Sequence, residues 1–308
     1  ECFERNNTIH LAFGRSYQLE LAEKSTLLEG LERYSNMSNR KSRTSVFGSY
    51  HQLKEKAIHP SKFGLHSKEQ LMQKGFDFAE YSDDLAFHWI WAWSMKHNKA
   101  VLVPEQMIFF GIEFGKEKEK RFIYETSNGC ALGGTRDEAM LYGIFEMIER
   151  DNFLVAWYNK LGLKEIDVER SGIEDITKVV RLVQEEGYEL HFFDMSMELK
   201  IPSIMALMIN TKEECVVKTY CAAGAHFNPE SALRSALIEV VTSVPVYEKV
   251  FNNETMKQRM ELIYEHDEEA TEFEDHVLLY SHKKAVERYD FLLANDHPIL
   301  SLQELYPE

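Results

Sequence analysis

Cysteine, basic charge and long apolar runs are all scarce in this 308-residue chain. Cys2, Cys130, Cys215 and Cys221 contain no C-x-x-C, and four cysteines in a chain of this size do not make a disulfide scaffold. That usage fits a reducing, cytoplasmic setting. Lys and Arg number 35 against 51 Asp and Glu, a formal charge of −16. Such a balance argues against an electrostatic grip on nucleic-acid phosphate or on anionic lipid, except where metal ions reverse the sign locally. The longest apolar stretch, LAFHWIWAWSM, falls well short of the roughly 20 residues that span a bilayer, and ECFERNNTIHLAFG lacks the basic-then-apolar order of a signal peptide. Neither G-x-x-x-x-G-K-[ST] nor G-x-S-x-G occurs, which excludes a P-loop and a nucleophile elbow. With 44% hydrophobic residues, the chain is long enough for a sizeable core, arranged as one large α/β domain or two lobes.

The periodicity predicts a first helix over YQLELAEKSTLLEGLERYSNM, with Leu21, Leu27, Leu28 and Leu31 on its apolar side. A polar, basic region follows. KAVLVP and EQMIFFG read as strands, the charged run GKEKEK as an exposed tip, and FHWIWAW as a core-filling stripe. Thr135 and Glu138 form a T-x-x-E capping box that starts a second long helix, with Gly162 near its end. YELHFFDMS, PSIMALMIN and CVVKTYCAAGAHF are strand candidates, and Asn228-Pro229 opens a third helix, PESALRSALIEVVTSV. His226, in the turn before that helix, reads as structural.

These three helices share a pattern. Aligned on Glu29, Glu146 and Glu239, each has alanine seven positions earlier (Ala22, Ala139, Ala232), a small residue three positions earlier (Thr26, Gly143, Ala236) and an apolar residue just before (Leu28, Phe145, Ile238). Seven residues is close to two turns, so the small residues and the glutamate share a face suited to close packing. Two of the helices carry a complete E-x-x-E-R: Glu29, Glu32 and Arg33, then Glu146, Glu149 and Arg150. One such motif is ordinarily a surface ion pair worth about 0.2–0.5 kcal/mol; three matched helices point further. Converging, they would assemble Glu29, Glu32, Glu146, Glu149 and Glu239, which cannot all stay ionised without cations. Magnesium prefers oxygen ligands and keeps places for substrate phosphate, while Arg33 and Arg150 suit phosphate oxygens.

The chain resembles the YcaO-type family of ATP-dependent peptide cyclodehydratases. The resemblance is carried by A-x-x-S-x-x-x-E-x-x-E-R-Y at Ala22–Tyr34, S-N-G-x-A-x-G-x-T-x-x-E-A at Ser127–Ala139 leading into E-M-I-E-R-D, and A-L-x-x-A-L-x-E at Ala232–Glu239. It implies a mixed α/β fold in which pseudo-repeated helices pack on β-sheets around a nucleotide and magnesium cleft. Residues 1–308 are expected to form one such catalytic domain, with two pseudo-symmetric lobes (about 1–125 and 126–308) as the alternative and the family's C-terminal part absent.

The implied reaction converts Cys, Ser or Thr of a ribosomally made precursor peptide into an azoline, ATP phosphorylating the backbone amide oxygen. The substrate supplies the nucleophile, so no catalytic nucleophile is assigned to the chain. Thioamide or amidine formation by the same ATP chemistry, and a catalytically silent peptide scaffold, remain open alternatives. By motif position, Ser25, Glu29, Glu32, Arg33, Asn128, Glu138, Glu146, Glu149, Arg150 and Glu239 are expected to bind ATP and Mg2+, the metal falling to Glu29, Glu32, Glu146, Glu149 and Glu239. Implied partners are the precursor peptide, a leader-binding ThiF-like protein, a flavin dehydrogenase and a second copy of the chain; nucleic acid and membrane are not expected. Gly134, Ser235 and Thr242 depart from the family's usual Asn, Arg and Gln at their positions.

Overall fold

The computed structural model describes residues 2–5, 8–37, 45–109, 111, 120–294 and 296–307. The chain forms two compact units, Glu1–Phe13 with Thr26–Leu132 and Gly14–Ser25 with Gly133–Glu308. The polar stretch after Met37 and most of GKEKEK lie outside the described residues.

In the first unit, β1 (Cys2–Arg5) and β2 (Thr8–Leu11) form an antiparallel pair, and α1 (Leu19–Asn36) carries the unit boundary within it. Next come β3 (Ser45–Ser49), the short helices α2 (Tyr50–Leu53) and α3 (Lys68–Leu71), β4 (Ala86–Ser94) and β5 (Lys99–Pro104). The three strands make an antiparallel sheet in the order β3-β4-β5. Phe87, Trp89 and Leu102 pack there with Phe122 and Ile123, and the Trp89 indole N–H donates to the Gly48 carbonyl at 2.9 Å.

Three expectations need correction in this unit. The stripe on β4 is only half core: Phe87 and Trp89 are buried, whereas Trp91 and Trp93 are 43% and 62% exposed. All four share one face by alternation, but Trp93 stands opposite the small Ala100, where the hairpin runs past the packed cluster. EQMIFFG does not continue as a strand; Glu105–Met107 is a 3-10 turn. The Gln106 amide there donates to the Lys120 carbonyl and accepts from the Phe122 N–H, so a buried side chain makes the bonds a strand partner would have made. On α1 the leucines point outward. Leu21, Leu27, Leu28 and Leu31 are 46–60% exposed, while Ala22, Thr26, Glu29 and Arg33 form the half-buried side.

In the second unit, α4 (Arg136–Tyr158) is followed by β6 (Lys164–Glu165), α5 (Val168–Ser171), α6 (Glu174–Glu185), β7 (Tyr188–Asp194), β8 (Ser203–Asn210), β9 (Thr219–Ala225) and α7 (Pro229–Phe251). The chain continues through α8 (Glu254–Glu265), α9 (Phe273–Ser281), α10 (Asp290–Leu293) and α11 (Leu302–Leu305). The strands form an antiparallel sheet in the order β6-β7-β8-β9.

Every residue of β8, SIMALMIN, is buried because both faces of the sheet are covered. Ile204, Ala206 and Met208 pack with Ala232, Leu233, Ala236, Leu237 and Val240 of α7. Met205, Leu207 and Ile209 pack with Ala156 of α4 and with Tyr289 and Leu292. The small residues of α7 thus serve a helix-on-sheet contact. A Cβ at Gly224 of β9 would meet the Ala232 carbonyl at 2.4 Å and the Ala236 nitrogen at 3.1 Å, so glycine on the strand is required for this approach of the helix backbone.

The helix starts follow the expected chemistry. Asn228 accepts from the Glu230 and Ser231 N–H groups ahead of Pro229, and Thr135 accepts from Glu138 N–H. Only that half of the capping box forms, because the Glu138 carboxylate takes the Gly134 N–H at 2.7 Å. Two helix ends differ from expectation: α4 stops at Tyr158 with Lys160 in the left-handed region, before Gly162, and α7 runs through Pro245 to Phe251.

Candidate functional site

Glu146, Glu149 and Arg150 occupy consecutive turns of α4, and Glu239 lies in the middle of α7. Glu146 is clamped by its own helix: Arg150 Nε and Nη2 reach Glu146 Oε1 at 3.0 and 2.9 Å. Glu149 lies half-buried and accepts a hydrogen bond from the backbone of Ala225, the last residue of β9. Withdrawal of its carboxyl from water, and next the charge of Glu239, push it up to about 7; Glu146 adds to the rise, while Arg150 and the Ala225 N–H oppose it. Glu239 of α7 therefore acts on Glu149 of α4 at the Ala225 end of β9. Arg15, from the segment before α1, approaches Glu239 at 3.7 Å. Sequence reasoning missed Arg15 and the Ala225 N–H; the first lies in the Gly14-Arg15-Ser16 lead-in to the family-like region, while the second is a backbone group with no signature.

The same chemistry recurs in the first unit. Arg33 Nε and Nη2 bond Glu29 Oε1 at 2.9 and 2.7 Å, reproducing the Glu146–Arg150 fork. Glu29 Oε2 accepts the Phe13 N–H at 2.9 Å and Glu32 Oε2 the Leu132 N–H at 3.0 Å. Both glutamates thus face backbone donors from remote segments, which holds them on the half-buried side of α1.

The remaining candidates are more exposed. Ser25 is an exposed residue of α1. Asn128 is exposed in a turn where its N–H donates to Thr126 Oγ1. Glu138 accepts from Gly134 N–H and the Tyr142 hydroxyl. A Cβ at Gly134 would stand 3.1 Å from that carboxylate, so glycine here lets Glu138 close on the backbone. Thr242 bonds back to the Ile238 carbonyl at 2.6 Å, and Arg234, beside Ser235, is committed to Asp175 and Glu230. His226 is structural as expected, accepting the Asn228 N–H at 2.9 Å.

Among the described residues, no three His, Cys, Asp or Glu side chains stand close enough to hold a metal ion. Magnesium seldom asks for that: it is usually bound by one or two carboxylates, with substrate phosphates and water completing the octahedron. The donor set around Glu149 fits such use, being all hard oxygen with a surplus of negative charge that shows in the raised Glu149 carboxyl.

A protein-family model described as YcaO cyclodehydratase, ATP- and Mg2+-binding, matches residues 13–306. An uncharacterised protein of Methanothermobacter thermautotrophicus is 24% identical over 240 residues, covering 77% of this chain and 58% of that protein. The chain spans between 19% and 58% of the length of the curated relatives it matches. Among solved structures, a heterocyclase in complex with substrate and cofactor superposes with a TM-score of 0.80 at 21% identity, over 96% of this chain and 38% of that one. The Methanopyrus kandleri YcaO bound with AMPPCP and Mg2+ gives 0.64 at 13% identity, over 97% of this chain and 66% of that one. The order of the three glutamate helices, the paired E-x-x-E-R forks and the match from residue 13 to 306 lead to one conclusion: the chain belongs to the YcaO cyclodehydratase family.

Proposed function

We propose that the protein uses ATP to dehydrate Cys, Ser or Thr residues of a ribosomally made precursor peptide to azolines. The observation that carries this reading is the Glu149 carboxyl, raised to about 7 beside Glu239 and Glu146, a charge surplus suited to cations and through them to a triphosphate. The heterocyclase in complex with substrate and cofactor, and the YcaO bound with AMPPCP and Mg2+, support it.

In this reading Glu146, Glu149 and Glu239 would each contribute to holding magnesium, one or two carboxylates to an ion with phosphate and water completing its shell, and Glu29 and Glu32 are assigned the same role by motif. Arg150 and Arg33 turn from their glutamates toward phosphate oxygens, a bidentate geometry that guanidinium suits. Ser25, Asn128 and Glu138 complete the nucleotide contacts. Bound magnesium supplies charge neutralisation on the phosphates. The substrate's thiol or hydroxyl adds to the preceding backbone carbonyl and loses its proton; the resulting oxyanion takes the γ-phosphoryl group, releasing ADP. Elimination of phosphate with the amide proton leaves the C=N bond, so the peptide loses one water and ATP becomes ADP and phosphate. The chain's part is positioning and electrostatic stabilisation. A leader-binding ThiF-like protein presents the peptide, a flavin dehydrogenase oxidises azoline to azole, and two copies of the chain pair as a homodimer in the cytoplasm.

The test is peptide mass with phosphate release in step, using the complete system. Each ring formed removes about 18 Da, the mass of the eliminated water, for each phosphate released. Phosphate release with no mass change, or its indifference to peptide, would refute cyclodehydration.

A further inference from the structure

Beyond Glu149 the same side of α4 becomes aromatic. Phe153 and Trp157 follow at i+4 and i+8 from Glu149, and their rings stack 5.9 Å apart at 6°. They wall a cavity of about 340 Å³ whose floor is the first part of β9, Tyr220 and Cys221, and whose far side is Tyr280 and Tyr289. Trp157 meets both of those tyrosines edge-on, at 5.3 and 5.4 Å. Leu154, 47% exposed, stands at the rim.

The walls are mostly ring and aliphatic surface, with Thr219, Cys221 and His276 also lining the cavity. Burial pushes the Cys221 thiol to about 11 and the Tyr220 hydroxyl to about 12. The hydroxyls of Thr219 and Tyr289 already have partners, the Tyr280 carbonyl and the Cys221 sulfur. Rings on three sides suit an aromatic guest: ring pairs gain from edge-on and offset contact, and the volume lies at the lower end of ligand-binding pockets.

Two tracks fix where this cavity lies relative to the carboxylates. Eight residues of α4 separate Glu149 from Trp157, about 12 Å at 1.5 Å per residue. Four residues of β9 separate Ala225, which bonds Glu149, from Cys221, about 13 Å at 3.3 Å per residue, and both residues are on the same face of the strand. Glu149, Phe153 and Trp157 share one side of α4, and Ala225 and Cys221 share one face of β9, so the acidic end and the aromatic end lie along the same two tracks. An extended peptide covers 12–13 Å in about three to four residues.

We propose that this cavity is a specificity pocket that takes an aromatic side chain of the peptide substrate, three to four residues from the residue being cyclised. The proposal rests on the peptide-modifying reading and adds a sequence requirement to it. It predicts a periodic preference: a ring one or two residues from the reacting position cannot reach, and one six residues away overshoots.

Calorimetric binding of short capped peptides to the full chain tests it without requiring turnover. The probes are N-acetyl-Cys-Gly-Gly-Phe-amide, its Phe→Ala counterpart, and a version with Phe directly after Cys. The first should bind at least 10-fold tighter than the other two, p-cresol should compete with it, and Leu154→Trp, which fills the mouth from an exposed position, should erase the preference. Equal affinities, or a preference that survives Leu154→Trp, overturn the pocket. Water loss from precursor peptides, measured separately, decides the reaction: phenylalanine-dependent binding without dehydration would retain the pocket and reject the chemistry, whereas dehydration indifferent to ring position would do the reverse.

Discussion

Replacing Glu149 by Gln should make the ligand-free protein more stable and the enzyme inactive, a combination few substitutions produce. The folded carboxyl titrates near 7, against 4.5 in an unstructured chain. A raised acid binds its proton more tightly in the folded state, so between about pH 4.5 and 7 the folded chain holds more protons than the unfolded one. Stability must then fall as pH rises through that window and stay depressed above it. At about 1.4 kcal/mol per pH unit the full shift corresponds to roughly 3 kcal/mol, which partial exposure of the side chain reduces to about 2.

Glutamine keeps an oxygen to accept the Ala225 N–H but carries no charge beside Glu239 and Glu146. The variant should therefore melt about 3 °C higher than wild type at pH 8, taking an unfolding entropy of about 2.1 cal/mol/K per residue over the chain. The two proteins should converge at pH 5, where the wild-type carboxyl is protonated, and peptide-dependent phosphate release should fall at least 100-fold at both pH values. Calorimetric melting from pH 5 to 8 without divalent ions is the assay. A variant less stable than wild type at pH 8, or one whose stability falls between pH 5 and 7 as steeply as wild type, would refute the view that Glu149 is held ionised at a cost.

Magnesium with a non-hydrolysable ATP analogue at 100 times its dissociation constant should stabilise the wild-type protein by about 2.7 kcal/mol, and Glu149→Gln should lose most of that gain in the same melting assay. Gly224→Ala forces a methyl to within 2.4 Å of the Ala232 carbonyl oxygen; denaturant unfolding should show a loss of about 1–3 kcal/mol, and an unchanged midpoint would mean that α7 is free to move off β9. Asp275 is the opposite case to Glu149. Its bond to Arg259 first of all, and the N–H groups of Glu272 and Thr271, hold it down at about 2, so it contributes stability that is present above about pH 4 and lost as pH falls to 2. Asp275→Asn should flatten that acid limb of the melting profile, and a limb as steep as wild type would count against the assignment.

Much of the architecture was legible because it rests on local rules. Thr135 and Asn228 cap α4 and α7 since their side chains reach N–H groups two or three residues on. The Glu29–Arg33 and Glu146–Arg150 forks follow from helical spacing alone, and the unbroken apolar run of β8 announces a strand covered on both faces. The family signal has the same origin, lying in short motifs whose order along the chain needs no coordinates.

What required the fold was every feature set by residues far apart in sequence. Gln106 bonding the backbone at residues 120 and 122 turns an apparent strand into a 3-10 turn. The end of the packed cluster leaves Trp91 and Trp93 in water although they alternate in register with buried Trp89. Ala232 and Ala236, which in sequence match their counterparts on the other two helices, are fully buried against the sheet, where Gly224 lets the helix backbone come close. The ordinary glutamate at 149 becomes a strained acid only where α4 and α7 meet over Ala225. Helical and strand periods are carried by neighbours along the chain, whereas desolvation and charge repulsion depend on who arrives from elsewhere, and only the tertiary contacts decide that.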